Sequence, residues 1–268
     1  MAGQETHFNC LIIGAGISGI DAAYHLKKYC PTVKYAILER RGNLGGTWDF
    51  FKYPGCHPRI IFTSWRQKYI YQYILIYLPY FPGIRSDSDM YTFGFSWKIW
   101  KSAKPIAPAE DILAYLTEAA EEQGIMKNIK FNTDIATAEW DSNDNLWHLV
   151  TASGLKYSCD VLFGCTGYYS YEKPFVANFP GQENFPGKIV HPQNWTKEDD
   201  KEVVGKKVAI IGSGATAVTI LPNIADIVSH ITMIQRTPTY IGAKPETDPI
   251  ANFFNNYLPA SIAVRLNR

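Results

Sequence analysis

Apolar and polar positions along the chain alternate in two rhythms, one short and one helical. Phe8 to Ile13 is an apolar, β-rich run, which predicts a buried strand. Gly14-Ala15-Gly16-Ile17-Ser18-Gly19 comes next. From Ile20 to Tyr29 the apolar residues Ile20, Ala23, Tyr24 and Leu26 recur at helical spacing, and Pro31 ends that helix. Val33 to Leu38 predicts a second strand, closing on Glu39. The order is strand, glycine turn, helix, strand. It returns later: strand Lys207–Ile211, glycine turn 212–217, helix Val218–Ile227, and strand His230–Gln235 closing on Arg236. Between the two units, Pro108 to Gln123 predicts a helix with Pro108 at its start and Gly124 as its stop. Short alternating segments at 129–131, 135–140, 147–151 and 155–157, with turn signals Asn143-Asp144-Asn145 and Ser153-Gly154, predict a small antiparallel meander. A further strand from Asp160 runs out at Gly164 and Gly167, and Asn252 to Arg268 reads as the start of a helix.

The glycines carry chemistry. Gly14, Gly16 and Gly19 match G-x-G-x-x-G. The first allows a tight turn, the second lets backbone approach a pyrophosphate, and the third lets helix and strand pack closely. The helix N-terminus then offers free N–H groups and a positive dipole end to the phosphates. Glu39, at the end of the next strand, is an acid placed to accept from both ribose hydroxyls. Gly212, Gly214 and Ala217 repeat the arrangement, but the strand-end residue is Arg236. A guanidinium suits a 2′-phosphate, and Thr237 adds a hydroxyl beside it. The first site therefore reads as one for an unphosphorylated dinucleotide and the second as one for NADP; together they point to FAD plus NADPH. The expected fold class is α/β with two Rossmann-like dinucleotide-binding domains, the first carrying the antiparallel β-meander and the second incomplete. The expected divisions are 1–170 for the FAD domain, 171–204 for a linker, and 205–268 for the start of the NADP domain.

Composition narrows the class. Twenty-six basic residues face 25 acidic ones, so bulk charge makes no case for nucleic acid or an anionic membrane. The five cysteines form no C-x-x-C pair, and reduced, buried thiols are expected. No apolar run reaches the roughly 18 residues of a membrane span, and the N-terminus lacks a signal-peptide pattern. A cytoplasmic protein is the expectation.

Arg40-Arg41-Gly42-Asn43-Leu44-Gly45-Gly46-Thr47-Trp48 succeeds the first acid, and its adjacent glycines let backbone pass close to a flat cofactor. Here the chain resembles the class B flavoprotein monooxygenases, which include Baeyer–Villiger and flavin-containing monooxygenases. Gly45, Gly46, Trp48 and Tyr53-Pro54-Gly55 resemble the start of the family's G-G-x-W-x-x-x-x-[FY]-P-G-x-x-x-D. Phe185, Gly187, His191 and Trp195 match its F-x-G-x-x-x-H-x-x-x-[WY], and Cys165-Thr166-Gly167-Tyr168 resembles its strand end over the flavin. Trp195 leans towards the Baeyer–Villiger version, while Thr196 departs from it. The resemblance implies that NADPH reduces FAD, that the reduced flavin takes O2 to a C4a-peroxide, and that a small ketone, or a sulfur or nitrogen compound, is oxygenated. It implies FAD contacts at Gly14, Gly16, Gly19, Glu39, Gly45, Gly46, Thr47 and Trp48. It implies NADP contacts at Gly212, Gly214, Ala217, Arg236 and Thr237. Asp87 is expected near flavin and NADP, or else as a plain turn aspartate; His191 couples domain motion, or else is a structural histidine. A disulfide reductase would need a redox cysteine pair, and Cys159 and Cys165 have the wrong spacing. The remaining alternative is an inactive fragment or a FAD-binding module without oxygenase activity.

The chain departs from the family pattern in two places. Tyr53-Pro54-Gly55 is succeeded by Cys56-His57-Pro58-Arg59, with no aspartate where the motif has one. A second aromatic-Pro-Gly, Phe81-Pro82-Gly83, leads into Ile84-Arg85-Ser86-Asp87, which fits. Residues 56–83 thus read as an insertion. They contain no Asp, Glu, Ala or Val but five Ile and five Tyr, the bias of translated AT-rich non-coding sequence. A retained intron or gene-model error is the first reading. The second is an ordered insert, with weak interfacial membrane contact through 69–81. The chain also stops at Arg268, soon after the second glycine motif, and is expected to be a C-terminally truncated member of the family.

Overall fold

The computed structural model describes residues 5–55, 84–242 and 245–268. The insertion and interfacial readings, and Cys56, fall on 56–83 and lie outside the described residues.

Strand β1 (Thr6–Ile13) leads through the first glycine turn into helix α1 (Ile17–Tyr29), and strand β2 (Tyr35–Leu38) lies parallel to β1. Short helices α2 (Thr47–Phe50) and α3 (Met90–Phe93) precede α4 (Ala109–Glu122). Strands β3 (Ile129–Lys130), β4 (Ile135–Asp141), β5 (Leu146–Thr151) and β6 (Lys156–Gly164) complete a six-stranded sheet of order β3-β2-β1-β6-β5-β4. Strand β1 has parallel neighbours on both sides, and Leu11 and Ile12 are fully buried on its opposite faces. Helices α1 and α4 cover one face. Ile112, Leu116, Ala119 and Ala120 of α4 meet Ile20 and Ala23 of α1 in one apolar cluster. Burial of Ile112 or Leu116 contributes about 1.5–3 kcal/mol each.

The register positions the site. Ile13 lies opposite Leu38 on one side and Gly164 on the other, so β2, β1 and β6 end on one line. Gly14 N–H donates to Leu38 O (2.9 Å) and Cys165 N–H to Ile13 O (2.9 Å), which ties down the first residue beyond β1 and the first beyond β6. Gly14, Glu39 and Cys165 therefore emerge together at the carboxyl edge, where open α/β sheets bind ligands.

The second unit holds helix α5 (Lys197–Glu202), strand β7 (Lys207–Ile211), helix α6 (Ala215–Ile224) and strand β8 (His230–Ile234), with β7 and β8 parallel. Helices α7 (Pro249–Tyr257) and α8 (Ala260–Asn267) then turn back onto the first unit. Asp248 caps α7 by accepting from Ile250 N–H and Ala251 N–H, and Ala251 joins the core beside Met90 and Trp100. Asn255 donates to Trp100 O (2.9 Å), and Lys104 pairs with Glu246 (2.9 Å). Among the described residues, no helix is long and apolar enough to cross a membrane.

Several sequence expectations are corrected. Helices α1 and α6 begin at Ile17 and Ala215, three residues earlier than the apolar periodicity indicates, so Gly19 and Ala217 sit inside their first turns. Residues 129–130 are not part of the meander: they pair in parallel with β2 at the far edge. The segments 155–157 and 160–164 are one strand, β6, antiparallel to β5 and parallel to β1, so meander and parallel strands share a sheet. The single C-terminal helix is two, divided at Leu258-Pro259 because proline cannot continue α7. Burial pushes the Cys10 thiol up to about 12 and the Cys159 thiol up to about 11, but Cys30 is exposed at the end of α1.

Candidate functional site

The first glycine turn is built by exclusion. Gly14 has φ +105°, and a Cβ there would stand 2.5 Å from the Cys165 carbonyl oxygen. A Cβ on Gly19 would stand 1.9 Å from Gly14 O, so α1 closes on the turn only because Gly19 has none. Gly16 faces a second backbone: a Cβ on Gly46 would lie 3.2 Å from Gly16 Cα, and Gly45 N–H donates to Ala15 O (3.0 Å). The 45–46 pair, at φ +116° and +54°, thus seats its loop against the turn. Gly16 caps α1 without a side-chain bond, and the first turn holds no acid, leaving its N–H groups for an anion.

Glu39 is buried. Its Oε2 accepts from Ala15 N–H (2.8 Å) and its Oε1 from Arg41 N–H (2.9 Å). A carboxylate has about four lone-pair sites, so two remain for further donors. That spare acceptor capacity fits a ribose diol. Thr47 and Trp48 open α2, where half-buried Trp48 meets Phe93 edge-on at 6.0 Å. Arg41 pairs with Asp49 (2.6 Å) and lies over Phe50, which stacks on Tyr171 at 4.1 Å. These contacts hold the 45–48 loop from behind.

The second turn is more open. Gly212 has φ +112° and donates to Ile234 O (2.8 Å), and a Cβ at Gly212 or Gly214 would meet nothing within 4 Å. Ala217 is buried in the first turn of α6, which again lacks a side-chain cap and an acid. Arg236 and Thr237 are exposed beyond β8, and no acid pairs with Arg236 among the described residues. The Thr237 carbonyl accepts from Ser213 Oγ (3.2 Å), and Thr239 Oγ1 lies 2.9 Å from that hydroxyl. The strand-end loop therefore clasps the glycine turn, which places Arg236 and the helix N-terminus on one rim.

The remaining candidates lie between the turns or outside them. Asp87 is exposed and makes no hydrogen bond or ion pair among the described residues. Its neighbour Asp89 caps α3 instead. The Asp87 charge acts on Tyr53 and Tyr169. Burial raises the Tyr53 phenol above its ordinary value; a Thr216 hydrogen bond opposes the shift and the Asp87 carboxylate adds to it. Burial, then Tyr168, pushes the Tyr169 phenol up to about 12. His191 is bonded locally: its Nδ1 accepts from Gln193 N–H (3.2 Å) at the start of a 3-10 turn. Trp195 donates to Asp200 Oδ1 (2.7 Å), and Thr196 caps α5 in a capping box with Asp199. A Cβ on Gly187 would stand 2.6 Å from the ring of Phe185, which is exposed and free to turn aside. Sequence reasoning missed Arg41, Ser213, Thr239 and the Tyr53–Thr216 contact, none of which a local pattern marks.

Residues 99–248, more than half of the chain, match the family described as flavin-binding monooxygenase-like, and residues 12–74 match an NAD(P)-binding Rossmann-like domain. The chain is 45% identical over 266 residues to the FAD-containing monooxygenase EthA of Mycolicibacterium smegmatis, an alignment covering 98% of this chain and 48% of that protein. It is 39% identical over 270 residues to the probable FAD-binding monooxygenase AlmA of Acinetobacter baylyi, covering 99% of this chain and 48% of that one. A solved structure of OTEMO in complex with FAD and NADP superposes with TM-score 0.64 at 26% identity, over 88% of this chain and 40% of that chain. A steroid monooxygenase bound to NADP gives TM-score 0.69 at 23% identity over 94% and 43%, a likeness of fold. The chain spans about half the length of the curated relatives it matches.

Proposed function

The chain belongs to the flavin-binding monooxygenase-like family, and on that premise we propose that it holds the nucleotide-binding part of an NADPH- and O2-dependent monooxygenase. The reaction oxygenates a small ketone, or a sulfur or nitrogen compound. The observation that carries this reading is the pair of glycine turns with opposite strand-end chemistry: buried Glu39, which accepts from two backbone donors, and exposed Arg236, which has no acid partner among the described residues.

Gly14, Gly16 and Gly19 admit the FAD pyrophosphate to the end of α1, and Glu39 accepts from its ribose. Gly45, Gly46, Thr47 and Trp48 bound the flavin side. Gly212, Gly214 and Ala217 admit the NADP pyrophosphate, while Arg236 and Thr237 take the 2′-phosphate. Bound flavin supplies the oxygen activation and transfer. Asp87, at the joint of the units, sets the charge near both cofactors, and His191 steadies the linker through which they move. The domain divisions 1–170, 171–204 and 205–268, and the reading of 56–83 as an insertion, belong to the same proposal.

The test is a set of titrations on the purified chain. FAD binds with a shifted flavin spectrum, and NADP+ binds more tightly than NAD+. Arg236→Ala weakens NADP+ binding by about 10-fold or more and leaves NAD+ unchanged, since hydrogen bonds to a charged group contribute about 1.5–3 kcal/mol. Equal affinity for the two nucleotides would sink the assignment of the second turn. Flavin binding without NADPH-dependent O2 uptake would mark the chain as a FAD-binding module.

A further inference from the structure

Phe51, Tyr53 and Ile84 of the first unit and Ile220 and Ile224 of α6 form one buried cluster. Trp195 of the linker and Val208 and Ile210 of β7 border it. This is the joint between the units. Tyr53 is its polar member: the residue is 9% exposed, and Thr216 Oγ1 donates to the Tyr53 hydroxyl at 3.4 Å. Thr216 is the second residue of α6, inside the turn Gly212–Ala217. Its neighbours supply the backbone N–H groups that an N-terminal helix turn presents to an anion. Tyr53 itself lies just past α2, whose start is the Gly45-Gly46 loop seated on the first glycine turn. One short path thus runs from Gly16 through Gly46, α2 and Tyr53 to Thr216.

We propose that Tyr53 is a positioning residue that couples the two nucleotide turns, its ring anchoring α6 and its hydroxyl orienting Thr216 in the first turn of that helix. The nucleotide consequence rests on the reading of the second turn as an NADP site; the mechanical coupling does not. A buried ring supplies orientation with little loss of freedom on packing, and the long 3.4 Å hydrogen bond at its tip adds a weaker preference for one rotation of α6.

The experiment separates the two. Tyr53→Phe keeps the ring in the cluster and removes the acceptor, so the fold is retained. In the chain without nucleotide, hydrogen exchange is followed at the Val218 amide, which closes the first turn of α6 on Gly214 O (3.0 Å). The internal control is the Ile20 amide, which does the same in α1 on Gly16 O (3.1 Å). The expected result is exchange about fivefold faster at Val218 and unchanged at Ile20. NADP+ affinity falls by a similar factor of about five and FAD affinity stays the same. Thr216→Val reproduces the effect, Tyr53→Phe adds nothing to it, and Thr216→Ser restores it. Val218 exchange within about twofold of the parent chain, or equal acceleration at Ile20, overturns the coupling. A parent chain that binds no NADP+ overturns only the nucleotide reading and leaves the exchange result to decide the rest.

Discussion

Glu39 has both oxygens committed to backbone donors, so its geometry is fixed by main chain before any ligand arrives. Glu39→Gln keeps the shape but turns an amide donor towards either Ala15 N–H or Arg41 N–H. Leaving a buried donor unmet costs about 1–3 kcal/mol in the free and the bound protein alike, so the variant melts at a lower Tm with or without FAD. Gly19→Ala is a steric matter, since the added methyl meets Gly14 O; overpacking of this kind costs about 1–3 kcal/mol, visible as a lower Tm with or without FAD. His148 gives a pH signature. Its ring nitrogens lie 3.0 Å from Glu5 and 2.8 Å from Asp144, and these two hydrogen bonds, Glu5 first, raise its pKa above 6.5. The folded value being the higher, this tie between the start of β1 and the β4–β5 hairpin is fully present below about 6.5 and is lost as pH rises through the folded value. His148→Gln removes that step from a plot of Tm against pH; an unchanged plot would show the tie to be inert.

Among the elements, what was legible in the sequence is what neighbours decide. Strand, glycine turn and helix are contiguous, so both glycine turns and the residues that close the following strands could be located from spacing alone. Helix starts were misplaced because glycines in a first turn carry no apolar signal, although Gly19 belongs to the helix for packing reasons. The pairing of β3 with β2, and the double allegiance of β6, depend on partners far away in the chain. The Tyr53–Thr216 bond spans 163 positions, and no local pattern encodes it. The same cluster bears on residues 56–83. Tyr53 and Ile84, the flanks of that segment, already share one apolar contact set. Joining Gly55 to Ile84 removes none of the residues of that cluster, and a shorter connection costs less closure entropy. The expected outcome for the deletion variant is an equal or higher Tm with FAD affinity retained. Loss of flavin binding would identify 56–83 as part of the working protein.

At the scale of the molecule, the two units differ in how well they are covered. Strand β1 is enclosed, whereas β7 and β8 have no fully buried residue, and Ile211 and Ile234 are 60% and 51% exposed. Parallel strands are ordinarily covered on both faces. Phe175, Tyr240 and Phe163 add open apolar area along the linker and strand ends. The chain is expected to bind an apolar fluorescent dye in its folded state and to associate at raised concentration; a dye-silent, monomeric chain would contradict this.

The return of α7 and α8 to the first unit changes what kind of object the second unit is. A domain at the end of a chain hangs by one cord and swings freely. This one is strung between two moorings, the linker after β6 on one side and the segment before α7 on the other. Two attachments limit its travel from the first unit more than one would. A protease cut in the linker would accordingly sever one mooring without casting the unit adrift, and the two pieces would travel through a sizing column as a single particle.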